Sequence, residues 1–203
     1  YSVIEIGWPE EIIRALTILQ PSADETDLPA LEKLFDETSF PKITLPILKC
    51  IKRIGKTSKV TEIEKGLFDA KWEEYFVSYL DVLVAIKHKA IFPKLLVWLG
   101  NINQATIGWW RDFDERKLEE KVQKSIIAML DKETYEQLVQ HILNNYKPDK
   151  YGNIMSWRHF WVLRESVESP KIVTLLKSET RLADFEKWDD VMGQVKLADE
   201  SVV

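Results

Sequence analysis

Two aromatic residues and two carboxylates lie close together in one short segment of the chain. Residues 109–114 read Trp-Trp-Arg-Asp-Phe-Asp, and the flanking sequence predicts that they connect two helices. Aromatic faces attract positive charge through the ring quadrupole, and carboxylates attract it through Coulomb interaction. We therefore expect this segment to bind a cationic ligand, or to support a reaction that develops positive charge.

Each of these residues also has a structural interpretation. Tryptophan is usually largely buried, so one of Trp109 and Trp110 is expected to fill a gap between helices and the other to reach a cleft. An aspartate just before a helix commonly caps its N-terminus, and the next helix is expected to begin near Glu115. One cap needs only one residue, so we expect one of Asp112 and Asp114 to cap the helix and the other to point into a cleft beside a tryptophan.

A basic stripe is the second candidate feature. It consists of cations at three- and four-residue spacing opposite an apolar helix face, namely Lys49, Lys52, Arg53 and Lys56. Such a stripe is usually a solvated face. No acidic residue interrupts it, although the net charge of the chain is −5, and this favours the alternative that it binds phosphate.

A third group lies near the C-terminal end, where Trp157 and Trp161 share one face of a predicted helix. That spacing is typical of core packing, which we favour for Trp161. Arg158 and His159 then face sideways, and the guanidinium of Arg158 could reach a phosphate.

Composition excludes several classes of function. The 203 residues are enough for a sizeable core, and 45% hydrophobic and 30% charged residues are ordinary values for a globular protein. The single cysteine, Cys50, excludes an internal disulfide and is consistent with a cytoplasmic protein. No apolar run is long enough to cross a membrane, and no histidine has a second ligand at metal-binding spacing. We expect no membrane segment, no metal and no other cofactor.

The elements that position these residues are predicted to be helices. Apolar side chains recur every three or four positions, for example over residues 72–86 and 135–146, and no segment alternates with period two. Glycines follow two of the apolar segments at positions suited to left-handed C-caps, and three residues are placed as N-caps. These are Gly55 and Gly100 for the C-caps, and Asp27, Asp131 and Ser169 for the N-caps.

The helices are expected to form pairs. Residues 28–35 resemble residues 92–99, and residues 59–68 lie between them, which gives a period of about 32 residues, as in two-helix solenoid repeats. The predicted pairs are 9–20 with 28–37, 41–54 with 59–68, 72–88 with 90–99, 115–130 with 132–146, and 154–167 with 170–178, followed by a helix at 181–196. Irregular segments are expected at 100–114 and 147–153. The fold class is therefore all-α, with about five helix pairs in a single domain over residues 1–203.

Three segments carry a resemblance to a known family. Leu67-Phe68-Asp69-Ala70-Lys71-Trp72-Glu73-Glu74-Tyr75, continuing to Leu80-Asp81-Val82-Leu83, looks like the middle of the HEAT-like DNA glycosylases of the alkylation-repair type. Trp109-Trp110-x-x-x-Asp114 is similar to their tryptophan-pair motif, and Asn153-Ile154 followed by Arg158 resembles their Asn-Ile-x-x-x-Arg segment. The resemblance covers residues 41–165. It departs from the family at a further catalytic tryptophan on a later repeat, a role that neither Trp161 nor Trp188 matches.

The resemblance implies a HEAT-like α-α superhelix whose concave groove receives duplex DNA. The implied activity is hydrolysis of the N-glycosidic bond of cationic alkylated bases, in which a carboxylate stabilises the oxocarbenium-like sugar. Asp114 would be that carboxylate, which leaves Asp112 as the predicted helix cap. Trp110 would lie against the sugar or base, and Trp109 would support it. The remaining DNA contacts would come from Arg111, Arg158, His159, Trp161, Lys49, Lys52, Arg53 and Lys56.

A non-catalytic solenoid that binds a protein partner, such as an inhibitor or immunity protein, is the alternative function. The acidic composition, the abundance of tryptophan and the absence of standard catalytic motifs are consistent with it, because aromatic residues are enriched at interface hot spots. It predicts that Asp114 is only a helix cap. It also predicts an exposed patch of C-terminal acids, which are Asp184, Glu186, Asp189, Asp190, Asp199 and Glu200.

Overall fold

The protein is all-α over the part of the chain that the structure describes. The structure is a computed structural model, and it describes residues 9–38, 40–108, 114–146 and 154–200. These residues form eleven α-helices and no strand, and helix accounts for 78% of the structure, which confirms that the fold is all-α. None of the described helices is long and apolar enough to span a membrane. The helices are α1 (Pro9–Leu19), α2 (Leu28–Glu37), α3 (Pro41–Ile54), α4 (Val60–Asp69), α5 (Glu73–Ala85), α6 (Phe92–Gly108), α7 (Glu115–Ala128), α8 (Lys132–Asn145), α9 (Ile154–Glu165), α10 (Pro170–Ser178) and α11 (Trp188–Glu200).

The predicted irregular segment at 100–114 is wrong over its first nine residues, because α6 continues through it to Gly108. Only Asn101 interrupts the helical backbone (φ −116°, ψ 19°). Gly100 therefore lies inside a helix and is not a C-cap. A Cβ at Gly100 would lie 3.0 Å from the hydroxyl oxygen of Tyr146, so the glycine permits close packing rather than a turn. The last helix also begins later than predicted, at Trp188.

Several predicted helix caps are confirmed. Gly55 ends α3 in the left-handed conformation, with φ of 72°, and its N–H donates to the Ile51 carbonyl. Asp131 caps α8 in a capping box with Thr134. Asp27 and Ser169 occupy the expected cap positions, but neither side chain makes the capping hydrogen bond.

The chain divides into two compact units, Tyr1–His88 and Lys89–Val203. In the first unit, α3 contacts α1, α2 and α5, and α4 packs on α5. The apolar face of α3 supplies Ile43, Ile47, Leu48 and Ile51 to the core, all of them buried. Each such side chain contributes roughly 1.5–3 kcal/mol on burial, so the orientation of α3 is strongly specified. Its opposite face is thereby turned toward solvent.

The second unit is organised around α9. This helix contacts α6, α7, α8 and α11, and α10 contacts both α8 and α11. Its buried face includes Phe160, Val162 and Leu163, together with the polar side chains of Arg158 and His159. Two of the predicted site residues therefore lie in the core of this unit, where a buried polar group needs an internal partner.

Candidate functional site

The basic stripe faces a groove of about 690 Å³ in the first unit. Lys49, Lys52 and Arg53 line it from the exposed face of α3, and Val77, Ser78 and Asp81 line it from α5. The three remaining lining residues are Gln20, Pro21 and Leu48. Three cations against one carboxylate leave an excess of positive charge, so the groove is suited to an anionic ligand.

An ion pair orients one of the three groove cations. The Nζ of Lys52 lies 2.6 Å from Oδ2 of Asp81, and about half of the Lys52 side chain is exposed. Asp81 belongs to the Leu80-Asp81 segment of the family resemblance. The carboxylate holds the lysine at the groove wall, where its ammonium group still reaches solvent.

Lys56 is not among the residues that line this groove. Its Nζ lies 2.6 Å from Oε1 of Glu25, and nearly two thirds of each side chain is exposed. Exposed ion pairs of this kind are worth about 0–1 kcal/mol, so the pair is easily broken. The structure thus brings three of the four predicted cations together and leaves the fourth on a neighbouring surface of the same unit.

Asp114 is the N-cap of α7. Its Oδ1 accepts hydrogen bonds from the backbone N–H groups of Arg116 and Lys117, at 3.1 and 3.4 Å. The Nζ of Lys117 lies 3.7 Å from Oδ2, and the Asp114 side chain is 48% exposed. The prediction that Asp112 caps this helix is wrong, because the cap belongs to the residue directly before Glu115.

The cap holds the Asp114 carboxylate in a fixed direction, with half of its surface open to solvent. A carboxylate in this arrangement can face a positive charge as well as cap the helix, since the two N–H groups share Oδ1. Its predicted neighbours Trp109, Trp110, Arg111 and Asp112 lie outside the described residues.

Arg158 is buried, and its Nε lies 3.0 Å from Oε2 of Glu119 on α7. Only 10% of the Arg158 side chain and 22% of the Glu119 side chain are exposed. A phosphate could reach this guanidinium only by displacing a partly buried carboxylate, which is costly. The geometry therefore gives Arg158 a structural partner, while its predicted phosphate contact stays a prediction.

His159 is fully buried between three helices. Its Nε2 lies 3.0 Å from the Leu96 carbonyl oxygen, which can only accept, so Nε2 carries the proton. Nδ1 is hydrogen-bonded to the Tyr146 hydroxyl at 3.2 Å. The ring of His141 lies 4.8 Å from that of His159, and burial lowers the pKa of His141. These bonds join α6 and α9 to Tyr146, the residue that directly follows α8.

Trp161 is partly buried beside a shallow crevice that also involves Trp157, Phe160, Arg164 and Asp190. The crevice measures about 10 Å³, which is too small for any ligand larger than water. Trp157 is 44% exposed. This crevice is therefore not a ligand cavity.

An aromatic pocket of about 350 Å³ in the first unit was not predicted from the sequence. The sequence places Trp72, Tyr75 and Tyr79 on the same apolar stripe as Phe76 and Leu80. The structure buries Phe76 and Leu80 fully, whereas Trp72, Tyr75 and Tyr79 line the pocket and remain accessible. The sequence feature that could have predicted this pocket is the clustering of these three aromatic residues at one edge of the apolar stripe.

The C-terminal acids lie at the surface wherever the structure describes their side chains, which excludes Asp199 and Glu200. Asp184, Glu186, Asp189 and Asp190 are all exposed. Asp190 pairs with Lys187, with Nζ and Oδ2 3.6 Å apart. In the part of the chain that the structure describes, no group of three histidine, cysteine or acidic side chains is placed to hold a metal ion.

Comparison of this chain with protein-family models, with curated proteins and with solved structures finds no match. The family resemblance therefore rests on the three sequence segments that carry it.

Proposed function

We propose that the protein binds duplex DNA through the cationic groove of the first unit. The observation that carries this proposal is the convergence of Lys49, Lys52 and Arg53 on one groove of about 690 Å³. Lysine and arginine supply most of the affinity for a phosphate backbone, because each contact releases a condensed counterion. The net charge of −5 does not prevent this, since the positive charge is concentrated locally.

The proposal includes the HEAT-like superhelix. Helices two apart in the chain contact each other within each unit, namely α1 with α3 and α3 with α5, and α7 with α9 and α9 with α11. This pattern is typical of stacked helix pairs, in which each repeat buries its apolar face against the next. Such stacks commonly present one extended binding face, and the basic stripe of α3 supplies a suitable face in the first unit.

The proposed reaction is hydrolysis of the N-glycosidic bond of a cationic alkylated base. The C1′–N bond breaks and its electron pair leaves with the base, which becomes neutral. Positive charge then develops on the sugar, and a water adds to C1′ and releases one proton to solvent. Asp114 supports this role because its carboxylate is oriented by two backbone N–H groups and half exposed. Trp110 would cover the sugar or base.

Release of methylated purines from alkylated duplex DNA tests the reaction, with Asp114→Asn as the variant. Asparagine caps helices about as well as aspartate, so this variant should stay folded. We expect its rate to fall by roughly 10- to 100-fold, because a preorganised charge is removed from the transition state. Asp112→Asn is the matched control and should keep the wild-type rate. Absence of base release by the wild type, together with absence of duplex binding at low salt, would end the proposal.

A non-catalytic protein-binding module is the second candidate, and specific observations favour it. Asp114 is a helix cap, Arg158 is paired with Glu119, and the described C-terminal acids are exposed. A fourfold neutralised variant at Asp184, Glu186, Asp189 and Asp190 tests it. Binding of a polylysine peptide that this variant loses, in a protein that does not bind duplex DNA, would select the second candidate.

A further inference from the structure

The aromatic pocket of the first unit has the features of a ligand site. Its volume of about 350 Å³ lies within the usual range for small-molecule pockets. The ring centroids of Trp72 and Tyr75 are 5.7 Å apart with an interplanar angle of 49°, so two aromatic faces meet at a corner. Trp72 is 54% exposed. A large aromatic side chain left this open at the edge of a cavity is informative, because an indole gains more by being buried.

The third aromatic wall is held by a glycine. A Cβ at Gly66 would lie 2.5 Å from Cζ of Tyr79, a distance that no real Cβ tolerates. The Tyr79 ring therefore lies directly against the backbone of α4, and only glycine permits this approach. Tyr79 of α5 thus forms one wall of the pocket in close contact with the backbone of α4.

The charges around the pocket favour a cation. Asp69 lies among the lining residues beside the aromatic faces, whose ring quadrupoles attract positive charge. Burial raises the pKa of Tyr79, and the nearby Tyr75 and Asp69 raise it further. Burial also raises the pKa of Tyr75, with a further contribution from Glu74. The negative charge of Asp69 and Glu74 is therefore felt at two of the three rings.

Among the described residues that line the pocket, Lys71 is the only cation, and its charge opposes a cationic ligand. Its side chain is exposed, so solvent screens much of this repulsion. Lys71 allows a test of the sign of the ligand's charge, because its removal should strengthen the binding of a cation and weaken the binding of an anion.

We propose that this pocket binds an organic cation of the quaternary ammonium class. Such a cation has no N–H groups, so aromatic faces satisfy it without hydrogen-bond acceptors, and it is weakly hydrated, so its desolvation is cheap. Asp69 supplies the counter-charge at the same cavity. The inference does not depend on DNA binding, since none of the groove residues lines this pocket.

Titration of the full chain with choline, followed by tryptophan fluorescence and calorimetry, tests the proposal. The control ligand is 3,3-dimethyl-1-butanol, which has the shape of choline without its charge. We expect saturable choline binding and at least about tenfold weaker binding of the neutral analogue, the size of one desolvated cation–π contact. No saturation by choline or tetramethylammonium below about 10 mM would overturn the proposal.

Variants locate the binding. Trp72→Ala should weaken choline binding about tenfold, and Trp157→Ala, which removes a comparably exposed tryptophan, should leave it unchanged. Gly66→Ala should also weaken it by displacing the Tyr79 ring, whereas Tyr79→Phe should retain it. Circular dichroism checks that each variant is folded. Equal affinities for Trp72→Ala and the wild type would contradict the assignment.

Lys71→Ala and Asp69→Asn test the sign of the charge. We expect choline to bind several-fold more tightly to Lys71→Ala and several-fold more weakly to Asp69→Asn. The opposite pair of changes would overturn the proposal. The quaternary ammonium group could belong to a methylated lysine side chain or to a free small molecule. Binding of a peptide that carries trimethyllysine, compared with the same peptide carrying lysine, distinguishes the two. Preference for the methylated peptide or for choline alone supports the proposal and identifies the source.

Discussion

Removal of Arg158 gives the sharpest test of how the second unit is built. The guanidinium is 10% exposed and lies 3.0 Å from the carboxylate of Glu119, which is 22% exposed. Removing one partner of a buried ion pair costs roughly 3–5 kcal/mol, because it leaves an uncompensated charge in the core. Glu119 retains some contact with solvent, so we expect Arg158→Met to lower the free energy of unfolding by about 2–3 kcal/mol.

Urea unfolding followed by circular dichroism measures this loss. In thermal unfolding, we expect the same loss to lower the melting temperature of a chain of this size by roughly 5–10 °C. The double variant with Glu119→Gln should lose less than the sum of the two single variants, since each single change breaks the same pair. Arg116→Met, which removes an exposed arginine from α7, is the matched control and should change stability by less than about 0.5 kcal/mol.

One result would refute this reasoning. If Arg158→Met kept the stability of the wild type and instead abolished duplex DNA binding, the arginine would act on phosphate and not on Glu119. Loss of stability with unchanged DNA affinity would establish the structural role and remove Arg158 from the predicted DNA contacts.

Three further predictions concern stability. Hydrogen bonds from Arg181, and to a smaller extent from Gln140, lower the pKa of Glu136 to about 2 from its ordinary value of 4.5. The ionised Glu136 carboxylate therefore stabilises the fold fully above about pH 5, and this stabilisation is lost as the pH falls toward 2. Arg181→Met should flatten the acid limb of the stability profile measured by urea unfolding between pH 2 and 7. The hydroxyl of Tyr135 is buried without a hydrogen-bond partner among the described residues, so Tyr135→Phe should raise the free energy of unfolding by up to about 1 kcal/mol, and a loss of more than that would show a hidden partner. Asp131→Ala removes the capping box of α8 and should cost about 1 kcal/mol by the same assay, whereas Asp131→Asn should cost less.

Local periodicity was enough to predict most helices, because their apolar stripes and end signals are contained in the helices themselves. Helices α2 and α3 begin and end where the sequence predicts. The sequence wrongly predicted that α6 ends at Gly100. A glycine is required there because Tyr146 and His159, from elsewhere in the second unit, pack against this position. A glycine that permits close packing and a glycine that ends a helix look alike in the sequence.

The candidate sites also differ in whether the sequence alone could predict them. Lys49, Lys52 and Arg53 could be grouped from the sequence because they share one face of one helix. The partner of Arg158 is a carboxylate on another helix, and the wall formed by Tyr79 on Gly66 joins α4 to α5. Such contacts are set by tertiary packing, so spacing along the chain does not reveal them.

The salt dependence of duplex DNA binding tests the central claim most directly. If the three groove cations each contact one phosphate, the plot of log K against log salt should have a slope of about −2.7, or a loss of roughly 40-fold between 50 and 200 mM salt. Lys49→Gln with Arg53→Gln should reduce the slope to about −0.9, while Lys171→Gln, an exposed lysine of the second unit, should leave it unchanged. Absence of binding at 50 mM salt, or the same slope in the wild type and the groove variant, would contradict the account.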